Sequence, residues 1–392
     1  MKTRTTLFLT LRTDLVSKLD EIVTTKFIPA ITGGIHPNDV ERELFTLPPS
    51  LGGLGIPKFS DLAESEFRNS ELLTQQLRNN IIKQEDKNDI DKDEIKRLKA
   101  SFKLKRTQSH RQKLENIKHQ SSDEMKKLLE INREPGSSLW LSTLPIQDEG
   151  FQLNKQSFWD LIKIRYGHQV DRLPNVCVCG SSFNLEHALT CKKGGFVTLR
   201  HNSIRNITAS LLAQVCNDVK VEPALTPLSG ETFETKMSNI QDNARLDIAA
   251  RGFWIPGQKA FFDVRVFNPI AKRFRNSTVS KACDANEREK KNIYNARILK
   301  VEHGSFTPIV FTAMGGMGRE TKHFYKRLSE LLSDKRDESI AITTTWVRRK
   351  INFALLSSVL LCLRGSRTPW SKDNLSSSLS NSSSDSELLC SF

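Results

Sequence analysis

Two aspartates sit inside apolar, strand-like runs of this 392-residue chain, Asp247 in "ARLDIAA" and Asp263 in "KAFFDVRVF". A carboxylate taken out of water is costly, so each needs a counter-charge, a proton or a ligand to hold. Side chains alternate faces along a strand. That groups Arg245, Asp247 and Ala249 on one face, and Phe261, Asp263, Arg265 and Phe267 on one face of the next strand. Paired across the turn marked by Gly252 and Pro256-Gly257, the strands would present both aspartates to one surface, within reach of Glu222 on the preceding strand. Such an oxygen-rich pocket suits Mg2+ or Mn2+. Phosphodiester hydrolysis there also needs a cation to orient water and offset the charge developing on the phosphate. Lys290, on the following helix one turn before Tyr294, fits that need, with Arg265 as the alternative. The same residues allow a plainer arrangement, in which Asp247 pairs with Arg245 or Arg251 and Asp263 with Arg265. Spacing alone leaves both open.

A second group is local. "CVCGSSFNLEHALTC" places Cys177, Cys179, His187 and Cys191 within fifteen residues, with Gly180 free to make a tight turn. Three thiolates and an imidazole are the ligand types of tetrahedral zinc, and metal binding would order a segment too small for its own core. The Cys-x-Cys start is tighter than the usual spacing, so unligated core cysteines are the alternative. With four protein ligands the expected zinc is structural.

The elements that must position these groups read clearly between residues 200 and 340. A helical stripe runs Ile204, Ile207, Leu211, Leu212, Val215. A short strand "VKVEP" follows, then the two aspartate strands, then a helix over 284–304 with Tyr294, Ile298 and Val301 on one side. "SFTPIVFTAMGG" reads as a fourth strand and 319–335 as a last helix, giving an α/β layered domain. The "GGMG" turn at 315–318 is either a phosphate nest or a plain turn before a helix, and the plain turn is the simpler reading.

Composition narrows the partners. The net charge is +14, which favours a polyanion or an anionic surface. Residues 96–118 carry nine Lys and Arg, among them Lys103, Lys105 and Arg106, against the single acid Glu115. They form either a solvated helix or a surface for phosphate backbones. The longest apolar run, 351–363, is too short to span a bilayer and reads as a buried helix, so no membrane role is expected. Seven cysteines without a secretory leader point to a reducing, intracellular setting. The expected division is 1–75 helical; 76–135 a basic helical linker; 136–175 a small aromatic helical segment; 176–199 the knuckle; 200–340 the α/β domain; 341–370 a C-terminal helix; and 371–392 a disordered Ser-rich tail.

The order of these pieces, a Cys-Cys-His-Cys knuckle followed by "RHN", "EP", "RLD", "FFDVRV" and "EKKNIY", resembles the C-terminal region of non-LTR retrotransposon proteins of the restriction-like-endonuclease class. The nuclease of that class is of the PD-(D/E)XK, restriction-endonuclease-like type, with an αβββαβ core. "LFTLPPSLGGLGIP" also looks like sequence that follows the reverse-transcriptase core in such elements. The resemblance implies Mg2+ held by Asp247, Asp263 and Glu222, with Lys290 as the catalytic lysine, Lys291 as its competitor, and Tyr294 after it. It implies that Arg200 and His201 contact DNA, and that the chain works on DNA, and on RNA as well, in the nucleus. Leu246 stands where the family motif has proline, and Arg265 where it has lysine. No Tyr/Phe-x-Asp-Asp polymerase signature occurs, so the chain is not expected to be a complete reverse transcriptase, and whether one acts in trans stays open. The expected function is DNA nicking; the alternative is a remnant that binds nucleic acid without cutting it.

Overall fold

The computed structural model describes residues 13–84, 91–239 and 244–367; the expected Ser-rich tail, 371–392, lies outside them. The α/β part is a four-stranded mixed sheet in the order β1 (Asn217–Val221), β2 (Ile248–Arg251), β3 (Lys259–Phe267), β4 (Ser305–Thr312). The β1–β2 and β2–β3 pairs are antiparallel and β3–β4 is parallel. A parallel neighbour requires a crossover, supplied here by α10 (Val279–Lys300). With α9 (Phe196–Ala213) ahead of β1 and α11 (Arg319–Arg336) after β4, the order expected from the sequence is the order present.

Alternation sorts the sheet into two layers. Ile248, Ala250, Phe262, Val264, Ile309 and Phe311 face α9, α11 and α12 (Ile340–Arg364). Ala249, Phe261 and Phe306 face Ile298 and Tyr294 of α10. Leu246 breaks the expected pattern: it packs with Ala249 and Phe261 rather than with Ile248. Its backbone has left β2, donating from Leu246 N to Pro223 O, while Arg245 bridges Ala224. The expected strand 244–250 is therefore four residues long as a sheet member. β1 also sits two residues early, with a bulge between Asn217 and Lys220 and left-handed backbone at Asp218 and Glu222.

The helices ahead of α9 pack chiefly on one another and on α12 rather than on the sheet. α3 (Asp39–Thr46), α5 (Lys92–Gln120), α7 (Lys155–Tyr166) and α12 share a core that joins Phe45, Leu114, Trp140, Leu161 and Phe353. The segments expected as separate helical, linker and aromatic regions thus bury their apolar faces together, because none has a complete core alone. Trp140 and Tyr166 are buried in that core. α12 is its spine: Val347, Ile351 and Leu355 serve the sheet layer, Phe353 and Leu356 the helical core, and Val359, Cys362 and Leu363 the knuckle. Among the described residues no helix is long and apolar enough to cross a membrane.

Candidate active site and metal centre

The site forms where β2 stops. Ile248 pairs with Phe262, so the next rung of the ladder would set Asp247 against Asp263. That rung is replaced by a side chain: Asp247 Oδ2 accepts the Val264 backbone N–H at 2.6 Å. Asp247 Oδ1 accepts from His201 Nε2 of α9 at 2.9 Å. A buried ladder N–H needs an acceptor, and the carboxylate supplies it while being held in one orientation.

From the opposite layer, Lys290 of α10 places its ammonium 2.8 Å from Asp263 Oδ2. The Lys290 side chain is 19% exposed and that of Asp263 7%, so the pair is shielded from solvent. Burial pushes the Asp263 carboxyl up to about 6; Lys290 opposes the rise, Asp247 adds to it and His201 opposes it. Burial works against the Lys290 charge, but Asp263 outweighs it and keeps the ammonium above its ordinary value. Tyr294 lies one turn on, with Lys290 Nζ 5.8 Å from its ring centroid. Burial raises the Tyr294 phenol, and the negative charges of Asp263 and Asp247 raise it further. Asp247, Asp263, Lys290, Tyr294 and His201 therefore act on one another across four elements.

The plainer arrangement of strand ion pairs is not the one present. Arg265 pairs with Glu289 of α10 at 2.8 Å, and Arg251 lies 3.8 Å from Asp218. Lys291, the competitor of Lys290, points away and pairs with Glu320 at 2.7 Å. Glu222 is engaged by Arg205, one helical turn beyond His201 on α9, and its side chain is 53% exposed. It joins the group through its backbone, donating from Glu222 N to Asp247 O at 2.9 Å. Arg200 departs most from expectation. It is 2% exposed, beneath α9 with Nη2 3.4 Å from Val266 O, so it does not face a DNA surface. Sequence reading missed that His201 holds Asp247; the signal was its spacing of four from Arg205, which puts two nitrogen donors on one helix face beside two acids.

The four knuckle residues converge more tightly. Cys177 and Cys191 sulfurs are 3.9 Å apart, Cys179 and Cys191 4.0 Å, and Cys179 Sγ lies 3.3 Å from His187 Nε2. Zn–S bonds of about 2.3 Å and a Zn–N bond of about 2.0 Å would set tetrahedral edges of roughly 3.8 and 3.5 Å. The cluster, with all ligand atoms within 4.8 Å of one another, can hold a zinc ion. Local turns build it. Gly180, at φ +85, closes a turn onto Cys177 O, and Asn184 caps the short α8 (Leu185–Ala188) by accepting from His187 N.

Two further expectations resolve. In "GGMG" the N-terminus of α11 is taken by the chain's own carboxylate, since Glu287 Oε1 accepts from Glu320 N at 3.0 Å. A Cβ on Gly318 would lie 2.1 Å from that oxygen, so glycine is required there for the cap rather than for a phosphate. Lys103, Lys105 and Arg106 lie exposed on α5, with Arg106 paired to Glu66. Set against known proteins, the chain matches no family model and no curated protein.

Proposed function

We propose that the chain is a divalent-metal-dependent DNA endonuclease module of the restriction-endonuclease-like, PD-(D/E)XK type, of retroelement origin, which nicks duplex DNA by phosphodiester hydrolysis. The observation that carries this reading is the shielded Asp263–Lys290 pair, 2.8 Å apart, set against Asp247 where the β2–β3 ladder is broken. Burial drives the Asp263 carboxyl upward and the second acid, Asp247, adds to the rise, an arrangement that a structural ion pair alone would not need. That frustration is what an added cation relieves, and the donor set of hard oxygens fits Mg2+ or Mn2+. Asp247 and Asp263 would hold the metal, with Glu222 the outer acid. Bound there, it would supply Lewis-acid charge to the phosphodiester and make water a better nucleophile.

The chain's own groups do the rest. Lys290, kept charged by Asp263, donates to the attacking water or to a phosphate oxygen and offsets the charge that develops. Tyr294 packs along Lys290 and narrows its positions. His201 and the Val264 N–H fix Asp247. The knuckle, with structural zinc, and exposed basic residues such as Lys103 and Lys105 grip the phosphate backbone. In this reading the protein works in the nucleus, and polymerisation is left to a reverse transcriptase in trans.

One observation favours a second reading, DNA or RNA binding without cleavage: both Asp247 oxygens are already hydrogen-bonded. Plasmid nicking in Mg2+ separates the two. Wild type should convert supercoiled to open circle, and Asp263→Ala should lose the activity by about a hundredfold or more, the scale of one lost charge-stabilising group. A wild type inert in Mg2+ and Mn2+ that still binds DNA would establish the second reading.

A further inference from the structure

We infer that the β3–α10 loop, Lys272 to Asn276, is a contact surface for the phosphate backbone of duplex DNA that carries the strand between the cleavage site and the zinc knuckle. The inference rests on the DNA-directed reading above and adds a partner surface to it. The loop begins five residues beyond β3, the strand that bears Asp263. It is fixed from below by Phe274, buried with its ring 4.9 Å from that of Phe267, in a cluster that includes Val279 and Val310. Its two ends are tied to neighbouring elements. Lys272 N donates to Glu186 Oε1 at 2.8 Å, on the knuckle helix next to the zinc-ligating His187. Val279 N donates to Glu130 Oε1 at 2.7 Å, on α6 (Asp123–Arg133).

On that fixed frame the basic side chains face out. Lys272, Arg273 and Arg275 are exposed, and Arg273 is pre-organised 4.4 Å over the Phe274 ring. Lys192 and Lys193, just after Cys191, are exposed too. None of these five is committed to an ion pair among the described residues, whereas Lys291, Lys163, Lys127 and Arg265 each have an acid within 3.0 Å. Five unpaired cations on a braced loop and its knuckle neighbour repel one another unless a polyanion covers them. A cleft of about 560 Å3 opens between Arg275 and the knuckle, and its α6 wall carries Asp123 and Glu124 beside Lys127.

The test is binding of a fluorescent 30-base-pair random duplex to the zinc-loaded full chain in EDTA-free buffer without Mg2+, over a salt series. Leaving out Mg2+ makes the result independent of whether the chain cuts. Lys272→Gln/Arg273→Gln/Arg275→Gln, with zinc content and thermal transition unchanged, should weaken binding and reduce the slope of log K against log salt by about 2.7, three contacts at about 0.9 each. The charge-matched control Arg319→Gln/Lys322→Gln/Lys326→Gln on α11 should change the slope by less than about 1. An unchanged slope in the loop variant, an equal loss in the control, or a preference for single-stranded RNA over the duplex would overturn the inference. Loss of nicking with intact loop-dependent binding would count against the nuclease reading alone.

Discussion

The knuckle and the acid–lysine site both bring several chemically active side chains together, yet they are built in opposite ways. The knuckle draws its ligands from residues 177–191, and its sulfurs and imidazole face one another, with Ser181 also hydrogen-bonded to Cys179. The acid site draws on α9, β2, β3 and α10, and its charges already satisfy one another in part: His201 with Asp247, Lys290 with Asp263, Arg205 with Glu222. Ligands that converge without counter-charges are stable only with a metal. A site whose charges are half-balanced can fold without metal.

Zinc removal tests the first half of that contrast and has the largest expected effect. Cys191→Ser, or chelation, should release one zinc and unfold the segment 175–195, a loss on the order of 10 kcal/mol of binding free energy by the standard of small zinc domains. Limited proteolysis would report the new cut sites. A chelated chain that resists protease as before would make the cysteines ordinary core residues and dissolve the contrast.

Next in size is Lys290→Met. It leaves Asp263 shielded and unpaired beside Asp247, at an expected cost of about 3–5 kcal/mol in denaturant titration. Adding Asp263→Asn to that variant should restore much of the loss. Equal stability of Lys290→Met and wild type would mean the pair is screened and the site carries no frustration.

A smaller, pH-dependent effect comes from Glu287, another assembled carboxylate. Burial raises it to about 7; its bond from Glu320 N opposes the rise, and the negative charge of Glu320 adds to it. The folded chain therefore keeps a proton that the unfolded chain has released, in the window from about 4.5 to about 7. Stability from this group is present at the acid end and declines as pH rises through that window, by at most about 1.4 kcal/mol per pH unit. Glu287→Gln should flatten that slope while still capping α11. A slope unchanged in the variant would assign the pH dependence elsewhere.

The smallest effect belongs to the surface. Arg106→Ala breaks an exposed pair with Glu66 and should cost no more than about 1 kcal/mol. A larger loss would show α5 to be held by charge as well as by Leu114 and Ile117.

What the sequence disclosed follows the same division. β3 runs over the whole of "KAFFDVRVF", and the knuckle ligands meet as their spacing predicts, because both depend on neighbours in the chain. The end of β2 was hidden, since it is set by a carboxylate of one strand taking the N–H of another. Glu222 looked like an inward acid, but a left-handed backbone at φ +52 turns it to Arg205. Arg200 was expected at a DNA surface through the resemblance alone, and a motif match does not tell which face of α9 is buried. Lys290 was preferred to its competitor Lys291 for sharing a helix face with Tyr294, and one step of 100° around the helix separates a site residue from a surface pair.

The proposed nuclease chemistry requires the broken rung to hold a divalent cation, apart from any zinc in the knuckle. Mn2+ titration of the zinc-loaded chain, followed by electron paramagnetic resonance, tests it most directly. One Mn2+ site is expected in wild type and none in Asp263→Asn, with zinc content equal in both. A wild type that binds no Mn2+, or a variant that binds it as tightly, would contradict the claim.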